Sequence, residues 1–405
     1  MTDTITTKTN LKTYFETNDV PTQSQFDDLI TSVVTEGGNG VIAGAVNVGP
    51  NVVSSGVGGC FAMGSTATAA GDMGCFAMGT GVTSVGNRGC FAMGAEAQTR
   101  GEDGNFALGS SATTMQTGGS FAVGTAVTTW GRYGNFAVGA TTEARGDQGC
   151  LAIGESVIAY GDAGCFAMGS VAEAVGIQGS VAIGSITTAN GGKGCFAMGD
   201  NVTASDPDGA GAFAMGTSVV AMGKRGCFAL GSAAMAAGAY GSFAMGDNVT
   251  AEGGYGSFAL GTVARSNSRG SFALGTSVTA VGTGGSFAVG ESATAVGNLG
   301  CFAMGQNVTA SNPDGAGAFA LGTAVTATGK IGCFAFGSAA TASADSTAVW
   351  FTGDNDETFT MKIGGAYPVR LCGNGVPMSP ANGDIWVDGS GNVVIQSGGS
   401  PVTIA

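Results

Sequence analysis

Nine of the ten cysteines in this chain fall at one position of an internal repeat: Cys60, Cys75, Cys90, Cys150, Cys165, Cys195, Cys227, Cys301 and Cys333. Thiols at fixed spacing could ligate a soft metal, form disulfides or do redox chemistry. The other occupants of the position argue for packing. It holds Ser at 120, 180, 242, 257, 271 and 286, Asn at 105 and 135, and Ala at 212 and 318. A ligand or nucleophile does not trade with Ser, Asn and Ala, whereas a small buried hydrophobe does, and free Cys behaves as one. No C-x-x-C pair marks a metal site. Cys60, Cys75 and Cys90 would approach disulfide range if the repeats stack, but side chains stacked in register point in parallel. The expectation is a ladder of packing thiols, with no metal and no cofactor. Cys372 lies outside it and carries no assigned role.

Other chemistry is sparse. Histidine is absent, which removes the commonest general base and metal ligand. Asp206, Asp208 and Asp314 sit in Pro-Asp-Gly turns that could suggest calcium. No EF-hand or nonapeptide pattern accompanies them, so they read as acidic turn residues in solvent. Asp354, Asp356 and Glu357 read as a solvated loop. Gly-x-Gly-x-x-Gly strings are expected by chance among 76 glycines, and none opens a long helix. No carboxylate pair or nucleophile constellation stands apart from the repeat, so no enzyme is expected. A net charge of −14 disfavours nucleic-acid backbones and anionic lipid surfaces. The start of the chain lacks the basic and apolar regions of a secretory signal, and no apolar run approaches the roughly 18 residues of a membrane span. The expected place of synthesis is a cytoplasm, where thiols stay reduced.

The elements that position these residues are repeats. The string GCFAMG occurs at 59–64, 74–79, 89–94, 164–169, 194–199 and 300–305. Aligned on the aromatic residue, the repeat places Phe61, Phe76, Phe91, Phe106, Phe121, Phe136, Leu151, Phe166, Val181, Phe196, Phe213, Phe228, Phe243, Phe258, Phe272, Phe287, Phe302, Phe319 and Phe334 in 19 rungs. Most steps are 15 residues; one is 14 and two are 17. Ala follows in every rung, and Gly two places later. A unit such as GCFAMGSTATAAGDM reads as a short strand, a Gly turn, a second short strand and a G-x-x-G turn. Alternation with period two is β patterning. Phe61 and Met63 share one face of the first strand, and Cys60 and Ala62 the other. In the second strand Thr faces solvent and Ala or Val faces in, as in SVTAVG at 277–282.

A 15-residue unit buries little alone, but stacked units bury a continuous core. The fold class is therefore all-β, a parallel β-solenoid or β-roll of about 19 rungs. At about 4.8 Å per rung the rod is about 90 Å long. Both 17-residue steps insert at the G-x-x-G turn, TASDPDGAGAF at 203–213 and TASNPDGAGAF at 309–319, and bulge from one edge. Two orientations stay open. If Cys and Ala point inward, the Phe and Met stripe lies outside and needs cover by sister chains. If Phe and Met point inward, a flat Cys/Ala strip is left for close packing.

The rungs resemble the head repeat of trimeric autotransporter adhesins, the YadA-like head. The likeness is best in GSVAIGSITTANG at 179–191 and GCLAIGESVIAYG at 149–161, and covers roughly residues 40–345. It implies a left-handed parallel β-roll packed as a homotrimer. The signal, coiled-coil stalk and membrane barrel of that family are not visible, so the expected relative is a virus or phage fibre, located on the virion.

The chain divides into 1–38, 39–345 and 346–405. In the first segment Leu11, Tyr14 and Phe15, then Phe26, Leu29 and Ile30, lie at helical spacing and suggest two short helices. This segment is similar to N-terminal segments of phage structural proteins and is expected to attach to a capsid or tail protein. The last segment is expected to be a small β module similar to the "GDIW" modules of phage fibres, with Trp350, Phe351, Tyr367 and Trp386 as tip contacts to a host receptor or glycan. The structural ladder is Cys60, Phe61 and Met63 with Phe76, Phe91, Phe106, Phe121, Phe136, Phe166 and Phe196. Alternatives are a non-viral surface adhesin and an ice-binding solenoid. The latter calls for a flat rank of paired threonines, whereas one Thr per rung recurs here.

Overall fold

The structure is a computed structural model that describes residues 46–56, 58–329, 332–344, 347–355, 361–363, 385–387, 392–397 and 399–404, with Thr22 and Gln23. Thirty-eight strands form one continuous sheet that winds as a parallel β-solenoid. Most rungs contribute two strands; in Phe166–Gln178, Val181–Lys193, Phe196–Ala210 and Phe334–Ala342 the two run together as one. The first begins at the aromatic position, as in Phe61–Ser65, Phe76–Thr80 and Phe91–Ala95. The second follows after two intervening residues, as in Thr68–Ala70 and Thr83–Arg88. Each strand pairs with its own copy one rung away: Phe61 with Phe76, Phe76 with Phe91, Thr68 with Thr83. The backbone hydrogen bonds therefore run along the rod axis, for example Phe61 N–H to Cys75 O at 2.8 Å.

The orientation left open by the sequence is settled by burial. Cys60, Ala62, Ala67 and Ala69 are buried, while Phe61 and Met63 on the opposite face are half-exposed. The interior is thus thin and made of methyl groups and thiols; its bulkiest fully buried side chains are Val and Asn. A buried methyl is worth about 0.8 kcal/mol. Cohesion must come as much from the axial hydrogen bonds, about 1 kcal/mol each, and from ring stacking, about 0.5–1.5 kcal/mol per pair. Rungs 84–129 depart from the expected Ala or Val filling: Ser84, Thr99, Thr114 and Thr129 occupy the inward site after the Thr or Gln position. The Thr99 hydroxyl donates to Ser84 Oγ at 3.1 Å, which donates in turn to Cys90 O at 3.0 Å.

Glycine is required in two different ways. The Gly at the fourth position of the first strand has φ near +135°, and a Cβ there would lie 1.8–2.0 Å from the carbonyl oxygen of the same Gly in the next rung, as at Gly64, Gly216 and Gly231. The Gly before the first strand has φ near +60° in nearly every rung, Gly119 excepted, and has open space around it in most, as at Gly226. A third left-handed residue stands two places after the first of these glycines, and it is rarely Gly: Thr66, Val171, Ile186 and Val263 all have φ of 53–56°. Four Asn occupy this position, Asn51, Asn201, Asn248 and Asn307, and these are the residues that tolerate it best after Gly.

The 17-residue steps widen the second turn, and the ladder resumes beyond it, with Lys193 opposite Ala210 and Leu299 opposite Ala316. The 14-residue step, from Phe258 to Phe272, is closed by buried serines: Ser266 Oγ lies 2.7 Å from Ser271 Oγ, which donates to Ser268 O at 2.9 Å.

At the C-terminal end the parallel ladder runs past residue 345. Ala348–Asn355 pairs with Phe334–Ala342, and Met361–Ile363 pairs with Ala348–Asn355. Ile385–Val387, Val393–Ser397 and Ser400–Ile404 form a separate three-stranded antiparallel sheet. Leu11, Tyr14, Phe15, Phe26, Leu29, Ile30 and the helices they suggest lie outside the described residues.

Candidate functional site

The nine ladder cysteines are free, buried thiols inside the roll. Each sits in the crook of the second turn. Cys75 Sγ lies 3.6 Å from Ala70 O and 3.2 Å from Gly86 O, and a Cβ on Gly71 would be 2.6 Å from it. Burial pushes the Cys75 thiol up to about 11 and raises Cys90 and Cys195 as well. A hydrogen bond to Cys165, with burial, raises Cys150. The thiols raised in this way stay protonated and are poor nucleophiles, whereas Cys165 is lowered to about 7 by its hydrogen bond with Cys150. Asn135 shows why Asn replaces Cys: its Nδ2 donates to Trp130 O at 2.7 Å and Gly146 O at 2.8 Å, and its Oδ1 accepts from Cys150 N–H at 2.9 Å. Among the described residues no group of three or more Cys, Asp or Glu is placed to hold a metal ion.

One acidic residue corrects the sequence reading. Asp206 is not in solvent: its side chain is fully buried and neither carboxylate oxygen has a hydrogen-bond partner among the described residues. It takes the place of the second-turn Gly, and the Cys site that follows is Ala212. The other long rung makes the same exchange, with Asn312 buried and Ala318 following. Elsewhere the Gly leaves room for the thiol; here the Asp or Asn side chain comes inward and the thiol shrinks to a methyl. Nothing in the sequence outside the pairing of Asp206 with Ala212 and Asn312 with Ala318 would have signalled it. The side chains of Asp208 and Asp314 lie outside the described residues.

The outside of the roll has two unlike faces. On the first-strand face Phe61, Phe76, Phe91, Phe106, Phe121 and Phe136 stack with centroids 4.6–5.1 Å apart and interplanar angles of 2–10°. Leu151 and Val181 interrupt the rings on either side of Phe166, and stacking resumes from Phe196 to Phe334. Met63 and its Leu, Val and Ile equivalents run beside the rings. The stack hides the ring faces and leaves the rings half-exposed.

The second-strand face and the second turn mix polar and apolar side chains and carry the cations. Arg145 ion-pairs with Glu143 and lies between Trp130 and Tyr160, 5.4 and 5.1 Å from their ring centroids. Tyr160 donates to Glu143 Oε2 at 2.9 Å. At the second turn Arg225, Tyr240, Tyr255 and Arg269 form a four-level stack, with guanidinium-to-ring distances of 5.4 and 5.1 Å and a ring-to-ring distance of 4.7 Å. The sequence reading missed both stacks. The signal was present as aromatic and Arg residues 15 apart, Trp130, Arg145 and Tyr160.

Of the residues read as tip contacts, Trp350 belongs to the rod. It pairs with Phe336 and extends the ring ladder, 5.0 Å from the Phe334 ring. Tyr367 lies outside the described residues, as do the side chains of Phe351 and Trp386. A scan against protein-family models, a search of the curated proteins and a search of the solved structures each return no match to this chain.

Proposed function

We propose that this chain is the structural fibre of a virus or bacteriophage particle. It is a homotrimeric β-roll rod, attached through its N-terminal segment to a capsid or tail protein and presenting its far end to a host-surface receptor or glycan. The observation that carries this reading is the half-exposed ladder of Phe and Met along one whole face of the rod. Such a strip, about 90 Å long at ~4.8 Å per rung, exceeds the few hundred Å² that a soluble monomer usually exposes. A closed ring of identical chains covers it without open-ended growth. Reach and multivalency then do the work, and no catalytic step is involved.

Light scattering combined with sedimentation tests the assembly. A mass of three chains with a strongly elongated shape is expected; a stable elongated monomer would overturn it. Deleting residues 1–38 should abolish incorporation into particles while leaving the rod folded. Normal recovery of the deletion on purified particles would sink the attachment claim.

A second reading rests on the threonine column Thr279, Thr294, Thr309, Thr326 and Thr341, which is in register over five rungs. Such a rank could order ice. A single column supplies only one row of hydroxyls, and thermal hysteresis of the purified protein would be the mark of this function.

A further inference from the structure

We propose that the flank of the rod, over rungs 100–192, is a binding groove for a linear polysaccharide that carries uronic-acid carboxylates. This goes beyond a contact at the tip and stands whether or not the rod is borne on a particle.

The outward site that ends the second strand is small along much of the rod, as at Ser55, Ala70, Ser205, Ala237 and Ser311. Over five successive rungs it is large instead: Arg100, Met115, Trp130, Arg145 and Tyr160 stand in register. Next along the chain the second turn supplies Gly at 101, 131, 146, 161, 176 and 191, with Gln116 standing between the first two, and these residues form a low floor. Together they create two shallow grooves on the same floor. One is lined by Arg100, Met115, Thr117 and Arg132 over Gly101 and Gly131. The other is lined by Tyr160, Asp162, Val175, Ile177 and Asn190 over Gly161, Gly176 and Gly191.

The occupant follows from the walls. All backbone hydrogen bonds of these rungs run along the axis, so the flank offers no strand edge to a peptide. The walls alternate aromatic and aliphatic surface with planar polar groups: guanidinium, carboxylate and amide. That mixture suits a ligand with apolar C–H faces and many hydroxyls. Trp130 and Tyr133 remain 45% and 64% exposed, so their edges are available beside the floor. Arg145 is already committed to Glu143 and its two rings, which fixes the wall. Arg100 and Arg132 are exposed and make no ion pair with any described residue. Asp147 stands one rung from Arg132 and Asp162 lines the second groove, so the seat for an anion is the first groove, where Arg100 and Arg132 lie together and a planar carboxylate is their natural bidentate partner. The wall residues repeat once per rung, about 4.8 Å, a length comparable to one sugar unit of an extended polysaccharide. Successive sugars can therefore meet successive rungs.

The test uses the full chain and three acidic probes, hexamers of galacturonic acid, of mannuronic acid and of hyaluronan, with cellohexaose as the neutral control. Binding is read by titration calorimetry and by quenching of Trp fluorescence. At least one acidic hexamer should bind saturably and more tightly than cellohexaose. Arg132→Ser and Arg100→Ser should each weaken that binding about tenfold or more, the loss of one charge-assisted contact. Trp130→Ala should remove most of the quenching, while Arg225→Ser, on the distant four-level stack, should change nothing. Circular dichroism of each variant checks that the rod is intact. The proposal is overturned if no acidic hexamer binds, if cellohexaose binds as tightly, or if intact Arg100 and Arg132 variants bind unchanged.

Discussion

Two glycines five residues apart on one rung, Gly226 and Gly231, allow a sharp test of what holds the stack together. Both have positive φ, +61° and +135°. A Cβ on Gly226 meets nothing within 4 Å, whereas one on Gly231 would lie 1.9 Å from Gly246 O. For Gly226→Ala the cost is the left-handed conformation alone, about 1–2 kcal/mol. For Gly231→Ala the backbone region is essentially closed to other residues, about 1–3 kcal/mol. In addition the rungs must part, losing two or three axial hydrogen bonds at about 1 kcal/mol each. The expected total is about 3–6 kcal/mol, a gap of at least about 1–2 kcal/mol between the two variants on these same estimates. Because the rod is quasi-one-dimensional, a single global unfolding curve would blur the difference. Hydrogen exchange of the amides from Phe213 to Asp247 reads it locally. Gly231→Ala should open those rungs to exchange, and Gly226→Ala should leave them protected. Equal effects would refute the idea that carbonyl contact between rungs, and not φ, dictates this glycine column.

Three further outcomes follow from the same geometry. Val171→Asn and Ile186→Asn, at exposed left-handed positions that Asn fills elsewhere in the rod, should each stabilise their rungs by about 0.5–1 kcal/mol in urea denaturation; a loss of stability would contradict the strain reading. Asp206→Asn should gain about 1–3 kcal/mol by removing a buried carboxylate without partners, and Ala318→Cys, facing buried Asn312, should lose about 1–3 kcal/mol by overpacking; an unchanged midpoint for both would end the exchange argument. The thiol column should make the fold sensitive to alkali. Cys75 is held above its ordinary 9.0, at about 11, by burial, so its neutral form favours the folded state by roughly 2–3 kcal/mol. That contribution is complete below pH 9, falls as pH rises through the folded value and is gone above it. Cys75→Ser should shift the alkaline midpoint of unfolding upward, and an unshifted midpoint would count against the mechanism.

The architecture was legible because one short pattern is written many times. A Phe at every fifteenth residue with Ala beside it fixes strand, face and stacking at once, and substitution of Cys by Ser, Asn and Ala identifies a packing site. The choice of inward face was harder, since alternation says only that Phe61 and Cys60 oppose each other; the thinness of an Ala-lined interior decides it. The left-handed turn residue was hidden because Thr66, Val171 and Ile186 look like ordinary strand formers. Asp206 was misread because an acidic residue beside Pro-Asp-Gly belongs to solvent by default, and its burial depends on Ala212, six residues away. The cation stacks needed the register of neighbouring rungs, which no single repeat contains.

The axial register of like on like has a consequence for how long such a rod can be. Phe lies on Phe, Ala on Ala and Gly on Gly at nearly every interface between rungs. An added or removed copy therefore creates junctions of the same kind as those already present, and stability changes by one rung's own contribution and its neighbour contact. Length is a count here, not a property of the fold. Gain or loss of a 15-residue unit would move whatever sits at the far end by a fixed increment and turn nothing else out of register.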